Sequence, residues 1–251
     1  MDTTKELPTV ISFCSGYGGI ERGLDLAGIK HRVIAYVEIE AFAVANLVAK
    51  MEEGALDPAP IFTDLKTFPA HLFRDCVDII TGGYPCQPFS MAGDRKGTDD
   101  PRHLWPYIRE HTNAIRPSRV FFENVQGHIS LGLNNVISDL EEDGFKTTWG
   151  LFSACEVGAP QERKRVFILA DSDDTFSKRE SLSRRVDAEH TYSNSSGTQS
   201  GGFTSQQWLC EPNVARVVDG CPHRVDRLRL LGNAVVPQTA AKAWITLNEE
   251  F

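Results

Sequence analysis

A chain of 251 residues, 41% hydrophobic and 24% charged, has room for one large domain, or a large and a small one, around a true core. Its 26 Lys and Arg against 34 Asp and Glu give a formal net charge of -8, which excludes a histone-like polycation and leaves only a local groove for nucleic acid. No apolar run approaches the ~18 residues of a membrane helix, MDTTKELPTV lacks a signal-peptide core, and the 6 cysteines include no C-x-x-C pair, so a cytoplasmic protein with reduced thiols and no bound metal is expected.

In chain order, VISF (10–13) leads into a glycine loop and the helical pattern IERGLDLAG (20–28). RVIAYVEIE (32–40) precedes the helical AFAVANLVAKM (41–51). VDIITGG (77–83) ends in a Pro-containing loop, and SRVFFENV (118–125) comes before the helical LNNVISDLEEDG (133–144). Strands bounded and spaced this way predict an α/β, Rossmann-like, mainly parallel sheet with helices on both faces. Ligands of such sheets sit at the carboxyl ends of the strands. After VFILA (166–170) the composition changes: residues 171–207 hold six apolar residues among 37 and cannot build a core of their own. PQTAAKAWITL (237–247) reads as a closing helix with Pro at its start. The expected division is a main domain of residues 1–170 and 228–251, with a small, partly flexible region at 171–227.

SGYGG (15–19) follows a strand and opens a helix, where glycines allow a tight turn and a close backbone approach to a ligand. A dinucleotide fingerprint has a third Gly at position 21. Glu21 stands there instead, and its charge would repel a pyrophosphate. Glu38 closes the second strand at the spacing of an acid that binds ribose hydroxyls, and Asp64, near the end of a third strand, can accept from an adenine amino group. A nucleoside without phosphates suits this set, and S-adenosylmethionine is the obvious one.

GGYPCQPFS (82–90) follows a strand expected in the sheet centre. Prolines on both sides of Cys86 and Gln87 fix the backbone there. A thiol held rigidly at a strand end is a candidate nucleophile once its pKa falls towards neutrality.

With these segments in view, the chain resembles the DNA (cytosine-5)-methyltransferases. FCSGYGG matches the first motif of that family, GGYPCQPFS its Pro-Cys-Gln loop, FFENV its Glu-Asn-Val motif, QERKRVFI its Gln-x-Arg-x-Arg motif and LGNAVVP its closing Gly-Asn motif. The five occur in family order, and the Pro-Pro-Tyr type motif of amino-methylating relatives is absent. The resemblance implies that Cys86 attacks carbon 6 of a flipped cytosine and that Glu123 shares a proton with N3. Arg163 and Arg165 would steady the O2 side of the base and the acid. A strand through Gln161, Arg163 and Arg165 would put all three on one face.

S-adenosylmethionine would lie against Cys14, Ser15, Gly16, Tyr17, Gly18, Gly19, Ile20, Glu38, Ile39, Asp64, Leu65, Pro85, Leu104, Asn233 and Ala234. Gln87, Ser90, Arg95 and Lys96 would contact double-stranded DNA from a loop (90–97) that closes as a lid. The chain departs from the family at Cys14, where a Phe usually stands, at Ser12, where an Asp is common, and in lacking a Gln-x-Phe-Pro element. Phe13, one step away, is expected to point into the core, which implies weaker cofactor binding. The region at 171–227, with basic residues in KRESLSRR (178–185), implies a short recognition site of two to four base pairs. A monomer, with a cognate restriction endonuclease as a partner in the cell, completes the expectation. A tRNA cytosine-5 methyltransferase, and a catalytically idle DNA-binding subunit of the same fold, are the alternatives.

Overall fold

A computed structural model of the chain describes residues 7–85, 104–172 and 232–251. Among these residues the strands are β1 (Thr9–Phe13), β2 (Arg32–Val37), β3 (Ile61–Phe62), β4 (Ile79–Gly83), β5 (Arg119–Val125), β6 (Phe145–Ser153) and β7 (Lys164–Ser172). They form one sheet in the order β3-β2-β1-β4-β5-β7-β6. Neighbours from β3 to β5 pair in parallel, and β7 runs antiparallel to both β5 and β6. The helices are α1 (Gly19–Leu26), α2 (Ala41–Glu52), α3 (Trp105–Ile115), α4 (His128–Leu131), α5 (Leu133–Glu142) and α6 (Pro237–Asn248). The sheet is mainly parallel, as the alternation of elements predicts, and β4 lies at its centre. Among the described residues no helix is long and apolar enough to cross a membrane.

The central strands are apolar on both faces, because alternate side chains enter two different cores. Ile11, Phe13, Ile80, Val120 and Phe122 pack with Ile108 of α3 and with Val136 and Leu140 of α5. Val10, Ile79, Phe121 and Phe167 pack on the other face with Leu24 of α1, Leu47 of α2 and Trp244 of α6. At Gly23 of α1, an added Cβ would lie 2.6 Å from the Ala240 Cβ and 2.9 Å from the Pro237 carbonyl oxygen. The missing side chain therefore lets α6 close onto α1, and it carries the segment before α6 over the loop that follows β1.

β7 continues two residues beyond the expected domain edge at 170. Asp171 stays in the sheet because it is only 4% exposed and its Oδ1 lies 2.6 Å from Arg119 Nε. A charged residue that looks like linker in the sequence is thus part of a buried ion pair. The chain proceeds from β1 outward through β2 and β3, then returns to β4 on the opposite side of β1. The loops after β1 and β4 consequently diverge, which opens a crevice at their carboxyl ends.

Candidate active site

The loop after β1 is built for close approach. Ser15 donates its N–H to the Val37 carbonyl at 3.1 Å and its hydroxyl to the Ser12 carbonyl at 2.9 Å, which ties the loop to the ends of β1 and β2. Gly18 caps α1 with φ +78°, a left-handed conformation that glycine adopts without a Cβ clash. At Gly19 a Cβ would sit 2.8 Å from the Val235 carbonyl oxygen. That carbonyl accepts the Tyr17 hydroxyl, whose pKa burial raises, so the phenol remains a donor. Arg163 donates to the Gly232 carbonyl at 2.8 Å and also to the Ala234 carbonyl. Asn233 and Ala234 are thereby pinned beside the glycine loop.

A cavity of about 740 Å³ opens at the crevice, within the range of small-molecule sites. Of the expected cofactor residues, it is lined by Cys14, Gly16, Glu38, Ile39, Asp64, Leu65, Pro85, Leu104 and Asn233. Ser15, Tyr17, Gly19, Ile20 and Ala234 line a smaller space that shares the wall formed by Cys14, Gly16 and Asn233. Glu38 Oε2 accepts the Gly16 N–H at 2.7 Å and Oε1 accepts the Glu40 N–H at 2.8 Å. Each oxygen keeps a second lone pair for a ribose hydroxyl. Asp64 Oδ1 accepts the Lys66 N–H at 2.9 Å and also faces the cavity. Ile39 is 71% exposed at its wall, an apolar surface on which a base can lie. Phe13 is buried in the core, edge-on to Phe68 at 5.5 Å, so Cys14 is the residue presented to the cavity. Burial and the nearby Glu38 push the Cys14 thiol up to about 12, which makes it a protonated packing surface. These residues fit an adenosine group that carries no phosphate.

At the other wall stands Glu123. It pairs in register with Gly83, where an added Cβ would lie 3.3 Å from Glu123 Oε2. Arg165 Nε approaches Glu123 Oε1 to 2.8 Å in a close ion pair. Burial raises the Glu123 pKa from 4.5 to about 7, and the Arg165 and Arg163 charges oppose that rise. The carboxyl is consequently poised to exchange a proton near neutrality.

The strand end that leads to Cys86 is held from below. Asn124 donates its side-chain N–H to the Tyr84 carbonyl at 3.1 Å, and the Tyr84 hydroxyl lies 3.1 Å from His128 Nε2. Burial pushes His128 down to about 4, so its ring is neutral. Tyr84 also packs against Trp105 and Phe122. Asn124 lies inside the quoted FFENV motif without an assigned role, and a lone histidine at 128 carries no signal in the sequence.

The arginine arrangement differs from expectation. Arg163 has φ +33° and precedes the first residue of β7, so Gln161, Arg163 and Arg165 do not share a strand face. The left-handed turn sends Arg163 to the carbonyls at 232 and 234, and only Arg165 of this pair reaches the Glu123 carboxyl. The catalytic candidate Cys86, the DNA-contact candidates Gln87, Ser90, Arg95 and Lys96, the lid at 90–97, and positions 173–227 of the small region lie outside the described residues.

The comparisons with known proteins bear on the same crevice. The family model described as C-5 cytosine-specific DNA methylase matches residues 8–207. Type II methyltransferase M.NgoMIV of Neisseria gonorrhoeae is 32% identical over 166 residues, which cover 64% of this chain and 51% of the relative. Type II methyltransferase M.NaeI of Lentzea aerocolonigenes is 30% identical over 165 residues, which cover 64% and 39%. The chain thus spans about half the length of these relatives or less. Among solved structures, a DNMT2 variant of Spodoptera frugiperda superposes with TM-score 0.56 at 23% identity, over 67% of this chain and 51% of that one. Dnmt2 of S. pombe gives 0.54 at 24% identity, over 74% and 58%. At such identities the structural likeness concerns the fold, a Rossmann-like α/β sheet. With a family model that spans most of its length, including the glycine loop, β4 and the Glu123 strand, the chain belongs to the C-5 cytosine-specific DNA methylase family.

Proposed function

We propose that the protein is a DNA (cytosine-5)-methyltransferase that uses S-adenosylmethionine and the Cys86 thiolate. The observation that carries this reading is the buried Glu123, paired with Arg165 and opening into the cavity whose wall includes Pro85, the residue before Cys86. Carbon 5 of cytosine is too weak a nucleophile to be alkylated directly. Addition of a thiolate to carbon 6 turns the C5=C6 bond into an enamine, in which carbon 5 carries the electron density.

Cys86 supplies that thiolate. The electron pair displaced from the ring develops as charge at N3, where Glu123 donates or shares its proton. Arg165 holds the carboxyl in place and compensates for its charge once the proton has left. Asn124 and His128, through Tyr84, fix the backbone two residues ahead of the nucleophile. Glu38, Asp64, Ile39 and the glycine loop would hold the cofactor, which supplies an electrophilic methyl group on a sulfonium. A water molecule then removes the C5 proton and Glu123 takes back the N3 proton as the C–S bond to Cys86 breaks, returning thiolate, acid and aromatic ring. The base must leave the duplex to reach this crevice, and extrusion costs a few kcal/mol, about what unstacking one base requires.

The names of the relatives, Type II methyltransferases, support a restriction-modification setting. In it the chain acts as a cytoplasmic monomer on double-stranded DNA, protecting a short site against a cognate endonuclease in a prokaryotic or phage-infected cell.

The test is transfer of labelled methyl groups to duplex DNA and, in parallel, to tRNA, with the product mapped by bisulfite sequencing. We expect 5-methylcytosine in DNA at a site of two to four base pairs. Cys86→Ser should abolish turnover while binding of S-adenosylhomocysteine is retained. Equal turnover by the Ser variant, or transfer confined to tRNA, would overturn the proposal.

A further inference from the structure

Beneath the glycine loop lies a charged group that the mechanism above does not use. Ser12 of β1 and Thr81 of β4 are register partners, both buried, and both two residues along from side chains of the α1-facing core. They therefore face α1. From the first turn of that helix, Glu21 reaches the same space: it is 2% exposed, and its Oε1 accepts the Thr81 hydroxyl at 2.5 Å. Its Oε2 is buried and has no hydrogen-bond partner among the described residues. An acid in the first turn of a helix is favoured by the helix dipole, which accounts for a carboxylate near the surface. It does not account for one that is buried with an empty oxygen, an arrangement that is costly unless a donor or a cation arrives.

Glu21 lines a cavity of about 20 Å³, enough for one group the size of a water or an ammonium. This chamber shares Cys14, Gly16, Gly83 and Asn233 with the large cavity and so forms a side chamber of it. Glu38, Ile39 and Asp64, the nucleoside-binding candidates, follow β2 and β3 at one end of the crevice. A ligand whose nucleoside lies there extends across β1 towards β4, and its far end reaches Gly83, Asn233 and the side chamber. We propose that Glu21 is the counter-charge for the α-ammonium at the amino-acid end of the cofactor. This rests on the S-adenosylmethionine reading and deepens it: specificity for the amino-acid end resides in one buried carboxylate on α1. Thr81 holds that carboxylate in place, which makes it a positioning residue.

The test is isothermal titration of the full chain with three ligands: S-adenosylhomocysteine, its α-deamino analogue and 5′-methylthioadenosine. Wild type should bind S-adenosylhomocysteine at least tenfold more tightly than the deamino analogue. Glu21→Gln should erase that preference, weakening S-adenosylhomocysteine about tenfold and leaving 5′-methylthioadenosine within twofold. Glu21→Asp, which keeps the charge, should restore part of the difference. Equal weakening of all three ligands by Glu21→Gln would mean a purely structural residue and would overturn the proposal. So would a wild type that does not distinguish the amino from the deamino ligand, a result that needs no variant to fold. Binding of none of the three overturns the cofactor reading itself, and this assignment with it.

Discussion

Glu38, just beyond β2, and Glu123, near the end of β5, face one cavity and are equally buried, 7% and 6% exposed. Glu38 accepts two backbone N–H groups, from Gly16 and Glu40, which hold the side chain in a fixed pose. Glu123 has an arginine at 2.8 Å and otherwise a desolvating surround, and its pKa rises to about 7. The lesson is that burial alone does not set the role of a carboxyl. Backbone donors make a fixed acceptor for a ligand, whereas desolvation that outweighs nearby cations makes a group that gains and loses a proton.

The most direct way to break this contrast is to neutralise each acid in turn. Glu123→Gln should lower kcat by about 10²–10⁴-fold, the usual worth of a general acid, with cofactor affinity changed by less than about threefold. Glu38→Gln should do the reverse, weakening S-adenosylhomocysteine by roughly tenfold, about 1.4 kcal/mol, with kcat at saturation nearly kept. Matching effects in stopped-flow and titration data would erase the distinction.

The pH dependence sharpens it. If protonated Glu123 is the active form, its limb of the kcat profile should fall above pH about 7, approaching about tenfold per unit. Because Arg165 opposes the rise in pKa, Arg165→Met should move that limb to higher pH. Stability carries the same sign. The folded pKa of Glu123 lies above the ordinary 4.5, so its contribution is fully present below pH 4.5 and is lost as the pH rises through about 7. Chemical denaturation of wild type against Glu123→Gln should show the wild type losing ground across that window and levelling off above it. A difference independent of pH would contradict the assignment.

The smallest effect concerns what holds the segment before α6 beside the glycine loop. Arg163→Ala removes a partly exposed donor from the carbonyls at 232 and 234, and should cost about 1 kcal/mol of stability, read as a lower Tm. Cofactor binding should weaken with it, because Asn233 loses its tether. An unchanged Tm would show that α6 alone fixes that segment.

Much of this was legible in the sequence, because the signals were local. The strands at 10–13 and 118–125 announce themselves by apolar runs, and the glycine loop by the turn that its φ +78° position at Gly18 requires. Strand-end position or motif points to Glu38, Asp64 and Glu123, and all three line the large cavity. What escaped depends on the third dimension. A strand through 161–165 gave the wrong direction for Arg163, since one left-handed residue before Lys164 is invisible to a period-two pattern. The links of Glu21 to Thr81 and of Tyr84 to His128 join residues 60 and 44 positions apart. No spacing rule reaches that far.

The tie between Tyr17 and Val235 spans 218 positions of the chain. At the ~5–20 residues per second of protein synthesis, roughly 10–40 s separate the emergence of its two halves from the ribosome. Throughout that interval the nascent polypeptide carries the glycine loop, and in its second half the Glu123 strand as well, without the segment that walls them in. The crevice is thereby walled only after position 235 has been made, and products truncated before it lack that wall.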